Sequence, residues 1–176
     1  MAIRPILEAP DPRLRVISTP VETVDDSVRA LIADMFETMY DAPGIGLAAV
    51  QVGVPKRILV IDLMEDGPDG ERISEPRVFI NPELSDPHEE LNVYNEGCLS
   101  VPEQYADVER PKAIQARWLD ENGVQHDERI EGMLATCLQH EMDHLEGILF
   151  IDHLSKLKRN MVLKKLEKAK RLRRAA

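Results

Sequence analysis

No stretch of the chain approaches the ~20 consecutive apolar residues needed to cross a bilayer. Met1 to Leu14 has no apolar core of the secretory type, and it is not the Arg- and Ser-rich kind of segment used for organelle import. These absences argue against a membrane protein and predict a cytoplasmic location. Cysteine is scarce as well: Cys98 and Cys137 are the only two in 176 residues, too few for a disulfide scaffold. In a reducing compartment both are thiols, and the plain role of either is that of a small buried apolar residue. Internal repeats and low-complexity linkers are also missing. What remains is an ordinary soluble composition, 43 % hydrophobic and 31 % charged, sized for one domain over 1–176 that can bury a core without staples.

The net charge of -10 is unevenly placed. From Lys156 onward there are ten Lys or Arg and a single acid, Glu167, so the preceding 155 residues hold twelve basic and thirty-one acidic side chains. An acidic body repels nucleic acid, which excludes sequence-specific binding to it. The basic tail over 155–176 is a separate object, able to touch RNA or another acidic surface.

Val21 to Tyr40 reads as a helix. Val24, Val28, Leu31, Met35 and Met39 recur at helical spacing, Thr23 or Asp25 is placed to cap the start, and Asp41 to Gly44 ends it. Arg57 to Leu63 reads as a buried strand, Glu65 to Pro76 as a polar loop or hairpin, and Val78 to Ile80 as a short strand stopped by Asn81-Pro82. Ala113 to Leu119 and Val124 to Ile130 read as strands joined at Glu121-Asn122-Gly123. Gly132 to Gly147 is apolar most of the way round, as in a core helix. Leu154 to Leu172 reads as an amphipathic helix with Leu157, Met161, Leu163, Leu166, Ala169 and Leu172 on its apolar side. Strands in the middle and helices at both ends predict an α+β fold: small mixed or antiparallel sheets around the Gly132–Gly147 helix.

That helix carries His140-Glu141-Met142-Asp143-His144. Two His four residues apart lie one turn apart on one face and can bind one metal ion, while the intervening Glu reaches water instead of the ion. A metal in such a place lowers the pKa of water from about 15.7 to about 7, and Glu141 can then move its proton. The alternative is two ordinary helix histidines. Against it stand their spacing, the Glu between them and the apolar helix that bears them.

A catalytic metal of this kind takes three protein ligands, so a third must exist. One metallopeptidase pattern extends the motif through a Gly to a further His; Gly147 fits, but Phe150 stands where that His is required. His153 just beyond and Glu167 in the tail are further candidates. His88 and His126 lie in polar segments and read as solvated. Cys98, in Glu96-Gly97-Cys98-Leu99-Ser100, offers a soft thiolate suited to zinc or ferrous iron, with Gly97 allowing close backbone approach.

Gly44 to Gln51 (GIGLAAVQ) lacks the third Gly of a dinucleotide fingerprint and the Lys of a phosphate loop. It reads either as a helix stop followed by a tightly packed strand, or as backbone that approaches a substrate. In the second case Gln51 can donate to a developing oxyanion.

Together the three segments resemble the peptide deformylase family: GxGLAAxQ at Gly44 to Gln51, EGCLS at Glu96 to Ser100, and QHExDHLxG at Gln139 to Gly147, in that order. The resemblance extends through Asp34 to Tyr40 and Asn81 to Glu83, and covers the chain from about Ile6 to the tail. It implies Cys98, His140 and His144 as ligands of one divalent ion, iron(II) in the cell and often zinc or nickel after purification. It implies Glu141 as general base and then acid, with the Gln51 amide and the Leu99 backbone N–H stabilising the oxyanion. The implied reaction removes the N-formyl group from the formylmethionine of newly made polypeptides and releases formate. The methionine side chain needs an apolar pocket, for which Ile45, Tyr94, Met133 and Cys137 are nominated; Gly46 and Gly97 are placed to pair with the peptide backbone. Some members carry Arg where this chain has Tyr105, so the resemblance implies no arginine contact to the substrate peptide from this position. Helix-tailed members are reported to dock on the ribosome through a basic C-terminal helix, which Lys164, Lys165, Lys168, Arg171, Arg173 and Arg174 would suit.

Overall fold

The computed structural model describes residues 2–176; Met1, the first residue of the expected domain, lies outside them. Helix α1 spans Asp26–Asp41 and is capped by the Asp25 carboxylate, which accepts from the Val28 N–H at 3.0 Å. The expected start at Val21 is five residues too early. The Asn81 side-chain amide takes both the N–H and the C=O of Val21, each at 2.8 Å, and so ties this stretch down outside the helix.

Among the described residues nine strands follow in chain order: β1 (Gly46–Ala48), β2 (Ile58–Ile61), β3 (Glu65–Asp66), β4 (Arg72–Ile73), β5 (Arg77–Ser85), β6 (Leu91–Cys98), β7 (Val101–Pro111), β8 (Ala113–Leu119) and β9 (Gln125–Glu131). Helix α2 (Gly132–Leu145) and helix α3 (Lys156–Ala175) complete the chain. A five-stranded sheet runs in the order β1-β2-β5-β8-β9, and β3-β4 and β6-β7 are separate hairpins. Every pairing between these strands is antiparallel, so the fold is α+β, as expected.

The Ile58–Ile61 run is apolar throughout because both faces of β2 are covered. Leu59 and Ile61 pack with Phe79, Trp118, Leu138 and Leu145 on the α2 side. Ile58 and Val60 pack with Leu31, Met35 and Met39 on the α1 side. Burying each such side chain contributes about 1.5–3 kcal/mol, and α2 is thereby fixed against the sheet centre.

One strand expectation is corrected. Asn81-Pro82 does not stop β5: the register shifts between Ile80 and Glu83, and Asn81 takes a φ of 50°. A bulge absorbs a proline that a regular ladder would not accept. The β6-β7 hairpin leaves no mark in the sequence, because Leu91, Val93 and Asn95 face solvent and no apolar run marks it. In α3, capped by Ser155, the apolar side is narrower than its periodicity suggests. Leu166 is buried with Val162 and Leu163 against it, whereas Leu157, Met161 and Leu172 are exposed.

Candidate metal centre

Cys98 ends β6, beside the turn into β7. His140 and His144 project from one face of α2, one turn apart. The fold brings the three together: one donor atom from each lies within 4.8 Å of the others, the only such cluster among the described residues. Cys98 Sγ is 3.3 Å from His144 Nε2. Tetrahedral donors about 2.0–2.3 Å from one ion stand at similar separations, so the spacing fits a shared metal. His140 and His144 are buried and Cys98 is half-buried; bringing such a soft donor and two imidazoles together out of water is a costly arrangement unless they share a partner.

Glu141 sits beside this cluster, with Oε1 4.0 Å from His140 Nε2. Its other oxygen, Oε2, is buried with no protein hydrogen-bond partner, a position that suits a water molecule as donor. Burial pushes the Glu141 carboxyl up to about 7, into the range of a group that gains and releases protons near neutrality. The imidazoles are driven apart. For His140, burial opposes charge but the hydrogen bonds to Cys98 and Glu96 outweigh it and raise its pKa; His144 is lowered, chiefly by burial.

Gln51 belongs to the 3-10 turn Ala49–Val52 that follows β1. Its Oε1 accepts from the Ala48 N–H at 2.8 Å, and its Nε2 donates to Ser100 Oγ at 3.0 Å and towards Cys98 Sγ at 3.6 Å. Both ends of the amide are therefore held, and its N–H face is turned to the cluster.

A cavity of about 560 Å³ opens here. Gln51, Cys98, Leu99, His140 and Glu141 line one part of it, and all six nominated substrate contacts, Ile45, Gly46, Tyr94, Gly97, Met133 and Cys137, line the rest. Ile45 and Met133 are exposed at its rim. Cys137 lies deep, and burial pushes its thiol up to about 12, so it serves as an inert wall. Tyr105 also lines the cavity, its ring against Gly97.

The polypeptide deformylase family model matches residues 3–160. The chain belongs to the polypeptide deformylase family. It is 79 % identical to the peptide deformylase of Rhizorhabdus wittichii over the full length of both chains, and 67 % identical to that of Zymomonas mobilis over 98 % of each. The crystal structure of a Legionella pneumophila peptide deformylase is similar with a TM-score of 0.89 and 49 % identity over 99 % of both chains. That of the Ehrlichia chaffeensis enzyme in complex with actinonin gives 0.91 and 46 %, covering 97 % of this chain and 99 % of the other.

In this deformylase-family chain the rival third ligands lie elsewhere. His153 Nε2 bonds to Asp143 at 2.8 Å, and Glu167 forms an exposed pair with Arg171 at 2.6 Å. His88 is exposed as expected, but His126 is half-buried, stacked on Trp118 and bonded to Asp120 at 2.8 Å. Sequence reasoning gave no role to Glu96, whose Oε1 lies 2.8 Å from His140 Nδ1, or to Arg110, which grips Glu96. The one available signal was the place of Glu96 two residues before Cys98. No helix among the described residues is long and apolar enough to cross a membrane.

Proposed function

We propose that this chain hydrolyses the formyl amide of N-formylmethionyl polypeptides at one divalent ion held by Cys98, His140 and His144, over a single catalytic unit, residues 1–176. The observation that carries the reading is the convergence of one cysteine sulfur and two imidazoles beside a buried carboxyl group with an unpartnered oxygen. When bound, the ion supplies Lewis acidity, activating water and polarising the formyl carbonyl. Iron(II) is assigned as the ion in the cell; zinc and nickel suit the same donors.

The residues around it carry the rest. Glu141 takes a proton from the attacking water through Oε2 and delivers it to the departing amine. A carbon–oxygen bond forms, the carbon–nitrogen bond breaks, and formate and a free amino terminus leave. The Gln51 Nε2 and the Leu99 N–H donate to the carbonyl oxygen as it gains charge. The methionine side chain enters the apolar part of the cavity among Ile45, Tyr94, Met133 and Cys137. β1 is an edge strand of its sheet, so Gly46 on one side and Gly97 on the other can pair with the peptide backbone, which makes recognition tolerant of sequence. Besides oxygen and nitrogen a formyl carbon bears only hydrogen, so a crowded site admits it and rejects larger acyl groups. The reading places the enzyme in the cytoplasm, where its substrates are made.

Anaerobic purification, metal analysis and assay of formate release from formyl-Met-Ala test this. Stoichiometric metal with formate release is expected; fully loaded protein that releases none refutes the proposal. For the tail, Lys164, Lys165 and Lys168 on α3 are exposed, and we assign that face to ribosome docking. Charge reversal there should abolish salt-sensitive co-sedimentation with ribosomes while leaving formyl-Met-Ala turnover intact; unchanged co-sedimentation excludes the assignment.

A further inference from the structure

Arg110 is buried, its side chain only 6 % exposed, and it does not line the cavity. It therefore has no route to the substrate. Its Nε and Nη2 hold the two oxygens of Glu96 at 2.7 and 3.0 Å, and its Nη1 donates to Asp143 Oδ2 at 2.9 Å. Asp143 Oδ2 also meets His153 Nε2 at 2.8 Å. Glu96 lies on β6 two residues before Cys98, and Asp143 lies on α2 between His140 and His144. From β7, one guanidinium thus ties the hairpin that bears Cys98 to the helix that bears the imidazoles.

The fork also sets the direction of Glu96. With both oxygens gripped, Oε1 keeps a lone pair aimed at His140 Nδ1, 2.8 Å away. A carboxylate only accepts, so His140 donates from Nδ1, and that bond turns the opposite edge of the ring, Nε2, towards the cluster. Two carboxylates brought this close to one another, largely out of water, also need a cation between them.

We infer that Arg110 is a positioning residue for the metal centre: through Glu96 and Asp143 it orients His140 and fixes the distance between Cys98 and the histidine pair. The inference rests on the reading of those three residues as metal ligands. A lysine keeps the charge but is a point donor without the fork, so Arg110→Lys separates geometry from charge.

The test compares zinc-loaded wild type and R110K by competition with a chromogenic chelator, and their cobalt-substituted forms by visible absorption. R110K is expected to hold zinc roughly 10–100-fold more weakly and to show shifted cobalt bands, while its KM for formyl-Met-Ala is unchanged because Arg110 does not line the cavity. Wild-type zinc affinity with an unchanged cobalt spectrum overturns the inference, even if R110K melts earlier, since a merely structural role would lower the melting temperature alone. Should R110K fail to fold, D143A decides: it removes the acceptor that anchors Nη1 on α2, weaker zinc binding supports the inference, and wild-type binding overturns it. Failure of the ligand assignment looks different. In that case C98A holds zinc as tightly as wild type, and the role of Arg110 falls with it.

Discussion

A methyl group placed on Gly46 would lie 2.6 Å from Glu141 Oε1. The edge strand that precedes Gln51 thus runs so close to the Glu141 carboxylate that any side chain there must displace it. Gly46→Ala is expected to lower formate release about 10²-fold, the scale of a misplacement near 1 Å, with metal content unchanged. Parallel measurement of turnover and bound metal checks this. Wild-type turnover in the variant would mean that the position of Glu141 does not matter to the reaction.

Gln51 offers a second test. Gln51→Ala removes the Nε2 donor that reaches Ser100 and Cys98. Loss of one oxyanion donor costs roughly 10²–10³ in kcat, and under the proposed role of Gln51 the loss should appear in kcat more than in KM, because such a donor would act on charge that develops after binding. A defect confined to KM would make Gln51 a substrate-binding group only.

Much of the fold and site is legible from the sequence because separate physical signals mark it. The β2 run Ile58–Ile61 is apolar at every position because α1 and α2 cover both of its faces. The His140–Glu141–His144 spacing is a property of any helix. The β6-β7 hairpin is illegible because its stability comes from cross-strand pairing and from the packing of Val101 and Val108 beneath it, not from an alternating pattern. Arg110 is hidden for a related reason: a buried cation and a solvated one are the same letter, and only the fold brings Glu96 and Asp143 to it.

Acid stability reports on another buried carboxylate. Asp62 is fully buried and accepts from Tyr40 Oη at 2.7 Å, Ser74 Oγ at 2.6 Å and the N–H groups of Met64 and Glu75 at 3.2 and 3.1 Å. Burial alone would raise its pKa, but the hydrogen bonds from Ser74, Tyr40 and the backbone outweigh it and hold the carboxyl below its ordinary range. A lowered native pKa stabilises the fold above the unfolded value, about 4, and that contribution is lost as pH falls through the native value. Asp62→Asn should therefore cost on the order of 1–3 kcal/mol at pH 7, and the gap to wild type should narrow in acid. Urea unfolding at neutral and acid pH checks it; a gap independent of pH would show that the charge on Asp62 is not its source.

The most direct measurement is X-ray absorption spectroscopy of the metal-loaded protein. Three donors from Cys98, His140 and His144 predict one sulfur near 2.3 Å and two imidazole nitrogens near 2.0–2.1 Å around zinc, with the sulfur lost in Cys98→Ala. A coordination shell without sulfur in the wild-type protein would contradict the account at its centre.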